Sequence, residues 1–109
     1  MPITNITNQQ DFEQTLQNNK LVVADFYSTD CPPCANLAPI YEAVAEKYSD
    51  VKFIKIMRQE NRELAQSYFV MSSPSILFFR GGQLLDNRLS GTINQNELEA
   101  AIQALRNNK

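Results

Sequence analysis

The chain has 109 residues, 43% hydrophobic and 20% charged, so its size and composition are those of one globular domain, and we expect a single domain over residues 1–109. Its formal net charge of −2 and sequence pI of about 5.0 argue against nucleic-acid binding, because proteins that bind nucleic acid carry a strong basic excess. The sequence shows no signal-peptide pattern, and it has no apolar stretch long enough to span a membrane. We therefore expect a cytoplasmic protein.

The first half of the chain predicts a helix, a strand and a second helix. The helix covers 8–18, where Asn8 can cap the first turn. A near-continuous apolar run over 20–28 predicts a strand that is buried on both faces. Apolar residues at helical spacing over 37–48 then predict a helix, which Pro39 should kink because it removes one backbone donor.

The second half of the chain predicts five more elements. They are a strand over 51–57, a helix over 60–69, strands over 75–80 and 83–90 joined by the turn Gly81–Gly82, and a closing helix capped by Asn94. The resulting order is αβαβαββα. Early alternation implies parallel strands with crossover helices, and the hairpin adds an antiparallel strand. The sequence therefore predicts an α/β fold with a central mixed β-sheet flanked by helices on both faces.

Cys31 and Cys34 are the only two cysteines, and the chain has no histidine. A bridge between them would close too short a loop to stabilise the fold much, so the pair is better suited to be a reaction centre. Cys31 would lie at a helix N-terminus, where unpaired N–H groups and the helix dipole favour the thiolate that attacks disulfides. Cys34, three residues later, could resolve the mixed disulfide, and we expect it to be more buried and more protonated.

The residues around the pair have opposing effects on the thiolate. Pro32 and Pro33 remove two N–H donors, so the Cys31 sulfur depends mainly on the Cys34 N–H and the dipole. Asp30 places a negative charge directly before Cys31 and should raise the pKa of its thiol. The sequence alone does not decide which effect prevails.

Two other interpretations of the cysteine pair stay open at this stage. The cysteines could be buried core residues or half of a metal site, but zinc needs four ligands and the chain offers neither a second C-x-x-C nor a histidine. A dimer that shares two pairs could still bind zinc or an iron–sulfur cluster. A binding or chaperone-like module with weak redox activity is the other alternative.

The stretch VADFYSTDCPPCANLAP, residues 23–39, resembles the strand, active site and kinked helix of the thioredoxin family, and the resemblance covers nearly the whole chain. It implies the thioredoxin fold and a protein-disulfide reductase with a Cys-Pro-Pro-Cys active site. It implies disulfide-containing proteins as substrates, a thioredoxin reductase or other dithiol donor as the second partner, and a monomer without nucleic-acid or membrane partners. The redox centre would be the Cys31–Cys34 disulfide itself, with no other cofactor and no metal.

The resemblance also implies roles for two charged residues. Asp25 matches the family's buried acid behind the second cysteine, and burial on an apolar strand should raise the pKa of its carboxyl. Such a group could accept the proton of Cys34 during exchange. Lys55 matches the lysine near that acid, although an outward-facing strand charge is the simpler interpretation of this residue.

The remaining predicted site residues form a substrate-binding surface. Pro74 matches the family's cis-proline, next to which the Ser73 backbone could pair with an extended substrate, and Gly91 resembles the glycine of the facing loop. The other members are Tyr27, Asp30, Pro32 and Pro33. Three of these depart from the family pattern: Tyr27 and Asp30 replace tryptophans, and Pro32 replaces the usual glycine. The lost aromatic area weakens a general hydrophobic docking surface.

Overall fold

The computed structural model describes residues 2–107, in which strands and helices alternate before a closing hairpin and helix. The elements are β1 (Ile3–Ile6), α1 (Gln9–Asn18), β2 (Leu21–Tyr27), α2 (Pro32–Lys47), β3 (Lys52–Met57), α3 (Arg62–Ser67), β4 (Ser75–Arg80), β5 (Gln83–Ser90) and α4 (Gln95–Asn107). A 3₁₀ turn, Arg58–Glu60, joins β3 to α3. None of the described helices is long and apolar enough to cross a membrane.

The strands form one mixed sheet in the order β1-β3-β2-β4-β5. β3 runs parallel to both β1 and β2, and β4 runs antiparallel to β2 and β5. This arrangement confirms the predicted mixed sheet. The carboxyl ends of β2 and β3 therefore meet at one edge, and four residues separate the end of β2 from the start of α2 at that edge.

Both faces of the sheet are buried, as the uninterrupted apolar run in β2 predicts. Val23 packs on one face with side chains of α2 and α4, such as Leu37 and Leu98. Phe26 packs on the opposite face with side chains of α1 and α3, such as Phe12. Helices thus cover both faces, and alternation along β2 places every second side chain under α2.

The structure confirms the predicted helix caps and hairpin turn. The Asn8 side chain accepts the Asp11 N–H at 2.8 Å, and the Asn94 side chain accepts the Glu97 N–H at 2.8 Å. The turn glycines have φ values of 58° and 81°, a left-handed conformation that glycine adopts without steric cost.

The strand β1 was not predicted, because residues 1–7 show no periodicity typical of a strand or a helix. It is a four-residue edge strand that pairs with β3 through the register Ile3↔Phe53 to Ile6↔Ile56. Its two isoleucines stand three residues apart, so they give neither a strand nor a helix periodicity over so short a segment. Pairing with β3, rather than local pattern, makes this segment a strand.

The helix predicted over 60–69 is shorter in the structure, where α3 covers only Arg62–Ser67. It ends in a Schellman motif: the Phe69 N–H donates to the Gln66 carbonyl at 3.0 Å, and the Val70 N–H donates to the Ala65 carbonyl at 2.9 Å. Phe69 has a φ of 57°. Glycine is the usual residue at this position, so a phenylalanine here does not signal the end of a helix.

Candidate active site

Cys31 and Cys34 form a disulfide at the N-terminus of α2, with their Cα atoms 5.2 Å apart. Cys31 caps the helix and is half-buried, whereas Cys34 is only 8% exposed, which confirms the expected difference in burial. The Cys34 N–H points at the Cys31 sulfur at 3.3 Å. The N-terminus of α2 therefore directs a backbone N–H toward the more accessible sulfur. The Cys34 N–H is the expected donor, because Pro32 and Pro33 have no N–H.

The Asp25 carboxyl is buried in the centre of the sheet, on the face that α2 covers. It is 2% exposed, and its Oδ1 has no hydrogen-bond partner among the described residues. Burial raises the pKa of Asp25 from 3.8 to about 7, and the positive charge of Lys55 opposes part of that rise. The expected rise is confirmed, and the carboxyl can take up or release a proton near neutral pH.

Lys55 lies beside Asp25 on the same face of the sheet. The two residues are register partners in the parallel pair β2–β3, and Lys55 is half-buried. Its Nζ stands 4.5 Å from the centre of the Tyr27 ring, at cation–π distance. Tyr27, two residues after Asp25, thus supplies a ring face that holds the ammonium close to the buried carboxyl.

The loop before β4 contacts the disulfide. The Ser73–Pro74 peptide bond is cis, as the resemblance implied. The Ser73 carbonyl oxygen is 3.5 Å from the Cys31 sulfur, a contact rather than a hydrogen bond because a disulfide sulfur carries no proton. Gly91, with a φ of 74°, donates its N–H to the Pro74 carbonyl at 3.2 Å.

An open cleft of about 570 Å³ borders the disulfide. Its lining consists of Tyr27, Ser28, Thr29, Asp30, Cys31, Pro32, Cys34, Ala35, Ala38 and Lys55. Asp30 is exposed and has a φ of 54°. Pro33 does not line this cleft and is half-buried in the first turn of α2.

Several polar residues next to the disulfide were missed by the sequence analysis. The Ser28 and Ser73 hydroxyls are hydrogen-bonded to each other, and the Arg58 guanidinium lies 3.5 Å from the Ser73 hydroxyl. The Gln59 side chain accepts the Thr29 N–H at 3.1 Å and donates to the Thr29 hydroxyl at 2.8 Å. Arg58 and Gln59 directly follow β3. The rule that carboxyl ends of parallel strands share an edge could have brought them to this site.

Within residues 2–107, no group of three or more His, Cys, Asp or Glu side chains is placed to hold a metal ion. The two sulfurs that could contribute ligands are bonded to each other. The chemistry that the described residues offer is thiol–disulfide exchange, and the buried Asp25 carboxyl titrates near neutral pH.

Comparisons with known proteins, by sequence and by structure, all indicate the same family. The family model described as thioredoxin matches residues 3–104. A thioredoxin from Mycoplasmoides gallisepticum is 39% identical over 97 residues, which cover 89% of this chain and 96% of that protein. The oxidised mitochondrial thioredoxin 3 of Saccharomyces cerevisiae superposes with a TM-score of 0.87 at 32% identity, covering 94% and 95% of the two chains. Thioredoxin from Fasciola hepatica superposes with a TM-score of 0.86 at 33% identity, covering 92% and 96%.

Proposed function

Because the chain belongs to the thioredoxin family of protein-disulfide reductases, we propose that Cys31 is its attacking sulfur and Cys34 its resolving sulfur. The observation that carries this assignment is the difference between the two cysteines. Cys31 is accessible, caps α2 and faces the Cys34 N–H, whereas Cys34 is buried. A backbone donor and the helix dipole stabilise the thiolate at the position that a partner can reach.

The proposed exchange transfers two electrons from the dithiol to a partner disulfide. The Cys31 thiolate attacks one partner sulfur, and the S–S bond breaks to release the other partner sulfur as a thiolate. Cys34 then loses its proton and attacks the Cys31 sulfur, which releases the second partner thiolate. The partner leaves as a dithiol after protonation, and Cys31–Cys34 leaves as the disulfide seen in the structure.

Asp25 is proposed as the group that accepts the Cys34 proton. Its carboxyl has a pKa of about 7, so the ionised and protonated forms are both populated near neutral pH. Lys55 is proposed as a positioning residue, since its charge favours the ionised form of Asp25. The nearby Tyr27 ring holds the ammonium in place.

The proposed substrate-binding surface has two parts. The first is the cleft side, and the second is the loop side, where the Ser73 backbone stands next to the Cys31 sulfur. The assigned residues are Tyr27, Asp30, Pro32 and Pro33 before and between the cysteines, and Ser73, Pro74 and Gly91 on the facing loops. An extended substrate segment at Ser73 would lie beside the disulfide by pairing through its main chain.

The cellular setting is proposed on the family and the chemistry together. The substrates are disulfide-containing proteins, and a thioredoxin reductase or another dithiol donor restores the reduced form. We assign the chain a single domain, a monomeric state, a cytoplasmic location, and a role in electron transport and cell redox homeostasis. The Cys31–Cys34 pair is the redox centre, so the proposed cycle uses no further cofactor.

Single-cysteine variants test the assignment of the two sulfurs. Cys34→Ser should trap a mixed disulfide through Cys31 when the reduced variant meets a disulfide-bonded peptide, and mass spectrometry should locate the bond. Cys31→Ser is the matched control and should trap far less, because Cys34 is buried. Equal trapping by both variants would contradict the assignment. A reduced wild-type protein that binds the peptide without turnover would favour a binding or chaperone-like module instead.

A further inference from the structure

Two large apolar side chains are exposed, without packing into the fold, in the segment that leads to the Ser73–Pro74 loop. Phe69 is 79% exposed and Met71 is 78% exposed, whereas the next large apolar side chain among the described residues, Leu84, is 37% exposed. Phe69 and Met71 stand two residues apart in the segment that joins α3 to β4. We call them, with the arginines that hold their backbone, Arg58 and Arg88, the 69–71 patch.

The backbone of this patch is fixed in a conformation that is unfavourable for a residue with a side chain. Phe69 has a φ of 57°, a left-handed conformation that glycine adopts more easily. The Arg88 guanidinium donates to the carbonyls of Tyr68 at 3.0 Å and Phe69 at 3.4 Å. The Phe69 side chain therefore costs backbone strain and contributes little burial, so core packing does not account for it.

The patch is connected to the loop that contacts the reactive sulfur. The Arg58 Nη2 donates to the Met71 carbonyl at 2.9 Å, and its Nη1 lies 3.5 Å from the Ser73 hydroxyl. The Ser73 carbonyl in turn lies 3.5 Å from the Cys31 sulfur. A partner whose disulfide reaches Cys31 would therefore have its neighbouring residues beside Met71 and Arg58.

The charges of the patch are positive and have no acidic partner within residues 2–107. The ion pairs in that part of the chain join Lys47 to Glu99 and Arg106 to Asp50. Arg58 and Arg88 bind only carbonyl and hydroxyl oxygens there, and each guanidinium has five N–H donors. Both can still donate to a carboxylate, so charge complementarity favours an acidic partner.

We propose that the 69–71 patch is the docking surface for disulfide proteins that carry an apolar side chain flanked by carboxylates next to their reactive cysteine. This inference rests on the proposed function and names the substrate class of the same site. Apolar contact with Phe69 and Met71 supplies affinity, and the two arginines select acidic neighbours. The patch thus takes over docking area that the family's tryptophans provide and that Tyr27 and Asp30 do not.

The test compares two disulfide-linked peptides of equal length with a small neutral disulfide. One peptide carries Leu and two Glu beside its cysteine, the other carries Ser and two Lys, and the small probe is 2-hydroxyethyl disulfide. Stopped-flow mixing with the reduced protein gives a rate constant for each probe. We expect the wild-type protein to prefer the acidic apolar peptide by about tenfold, and added salt to lower that preference.

The informative variant is Phe69→Gly, because glycine suits the φ of 57° and the variant should fold at least as well as the wild-type protein. Its rate for the acidic peptide, divided by its rate for 2-hydroxyethyl disulfide, should fall about five- to tenfold. Arg58→Gln should reduce the preference for the acidic peptide, and Leu84→Ser, the exposed apolar control on β5, should leave the ratio unchanged.

The outcomes separate this inference from the proposed function. A wild-type protein that reduces 2-hydroxyethyl disulfide but treats both peptides alike would overturn the docking surface alone. A Phe69→Gly variant that retains the wild-type ratio would overturn it as well. A protein that reduces none of the three probes would refute the proposed function, and the docking surface with it.

Discussion

Replacing Asp25 with asparagine should stabilise the protein in a strongly pH-dependent way. The carboxyl is 2% exposed and its Oδ1 has no hydrogen-bond partner among the described residues, so burial penalises its ionised form. The pKa of Asp25 is raised from 3.8 to about 7 in the folded protein. Between these values the folded state holds a proton that the unfolded state has lost, so stability falls as pH rises through this window.

The size of the effect follows from the two pKa values. Below pH 3.8 Asp25 is protonated in both the folded and the unfolded state, so its ionisation does not affect the free energy of unfolding. Above about pH 7 it is ionised in both states, and the full cost of burying the charge lowers the stability. The difference between the values corresponds to about 4 kcal/mol of unfolding free energy. Asp25→Asn removes the charge but keeps the shape, so its stability relative to the wild-type protein should rise by about that amount between pH 4 and pH 8.

Urea denaturation of the oxidised protein measures this difference, followed by far-UV circular dichroism because the chain has no tryptophan. Comparing both proteins at both pH values cancels other titrating groups such as Glu99, which the variant retains. A stability difference that is the same at the two pH values would refute the reasoning. It would mean that Asp25 is already ionised well below neutral pH, and its proposed role as proton acceptor would fall.

Three further substitutions test other parts of the account. Lys55→Met should raise the pKa of Asp25 above its wild-type value, because it removes the positive charge that lowers this pKa. The chemical shift of the Asp25 carboxyl carbon during a pH titration measures the change, and an unchanged midpoint would show that Lys55 does not affect Asp25. Tyr41→Phe should lower the free energy of unfolding by about 1–2 kcal/mol, because the buried hydroxyl donates to backbone carbonyls at 2.8 and 3.0 Å. An unchanged free energy of unfolding in urea titrations would contradict this. Asn94→Ala should cost about 1 kcal/mol by removing the acceptor of the Glu97 N–H, and unchanged stability would show that the cap is dispensable.

Most of the fold was predictable where one local signal dominates. The apolar run in β2, the two asparagine caps and the two-glycine turn each encode an element through nearby residues alone. The predictions failed where contacts between distant residues determine the secondary structure. β1 exists because it pairs with β3, and α3 ends early because Phe69 takes a conformation that its side chain disfavours.

The candidate site divides in the same way. The positions of Cys31 and Cys34 and the burial of Asp25 follow from a strand, a motif and a helix that are contiguous in the sequence. Arg58 directly follows β3, so its place at this edge of the sheet was predictable, whereas its contact with the Ser73 hydroxyl depends on the folded loop before β4. The exposure of Phe69 was not predictable, because an apolar residue at helical spacing is more often a core residue.

The most direct test of the central claim, that this dithiol reduces other proteins, is the reduction potential of the Cys31–Cys34 couple. Equilibration with glutathione redox buffers, followed by trapping of free thiols, gives this value. We expect a potential near the reducing end of the range for such proteins, at about −270 mV. A potential near about −120 mV would contradict it, because such a couple oxidises its partners instead of reducing them.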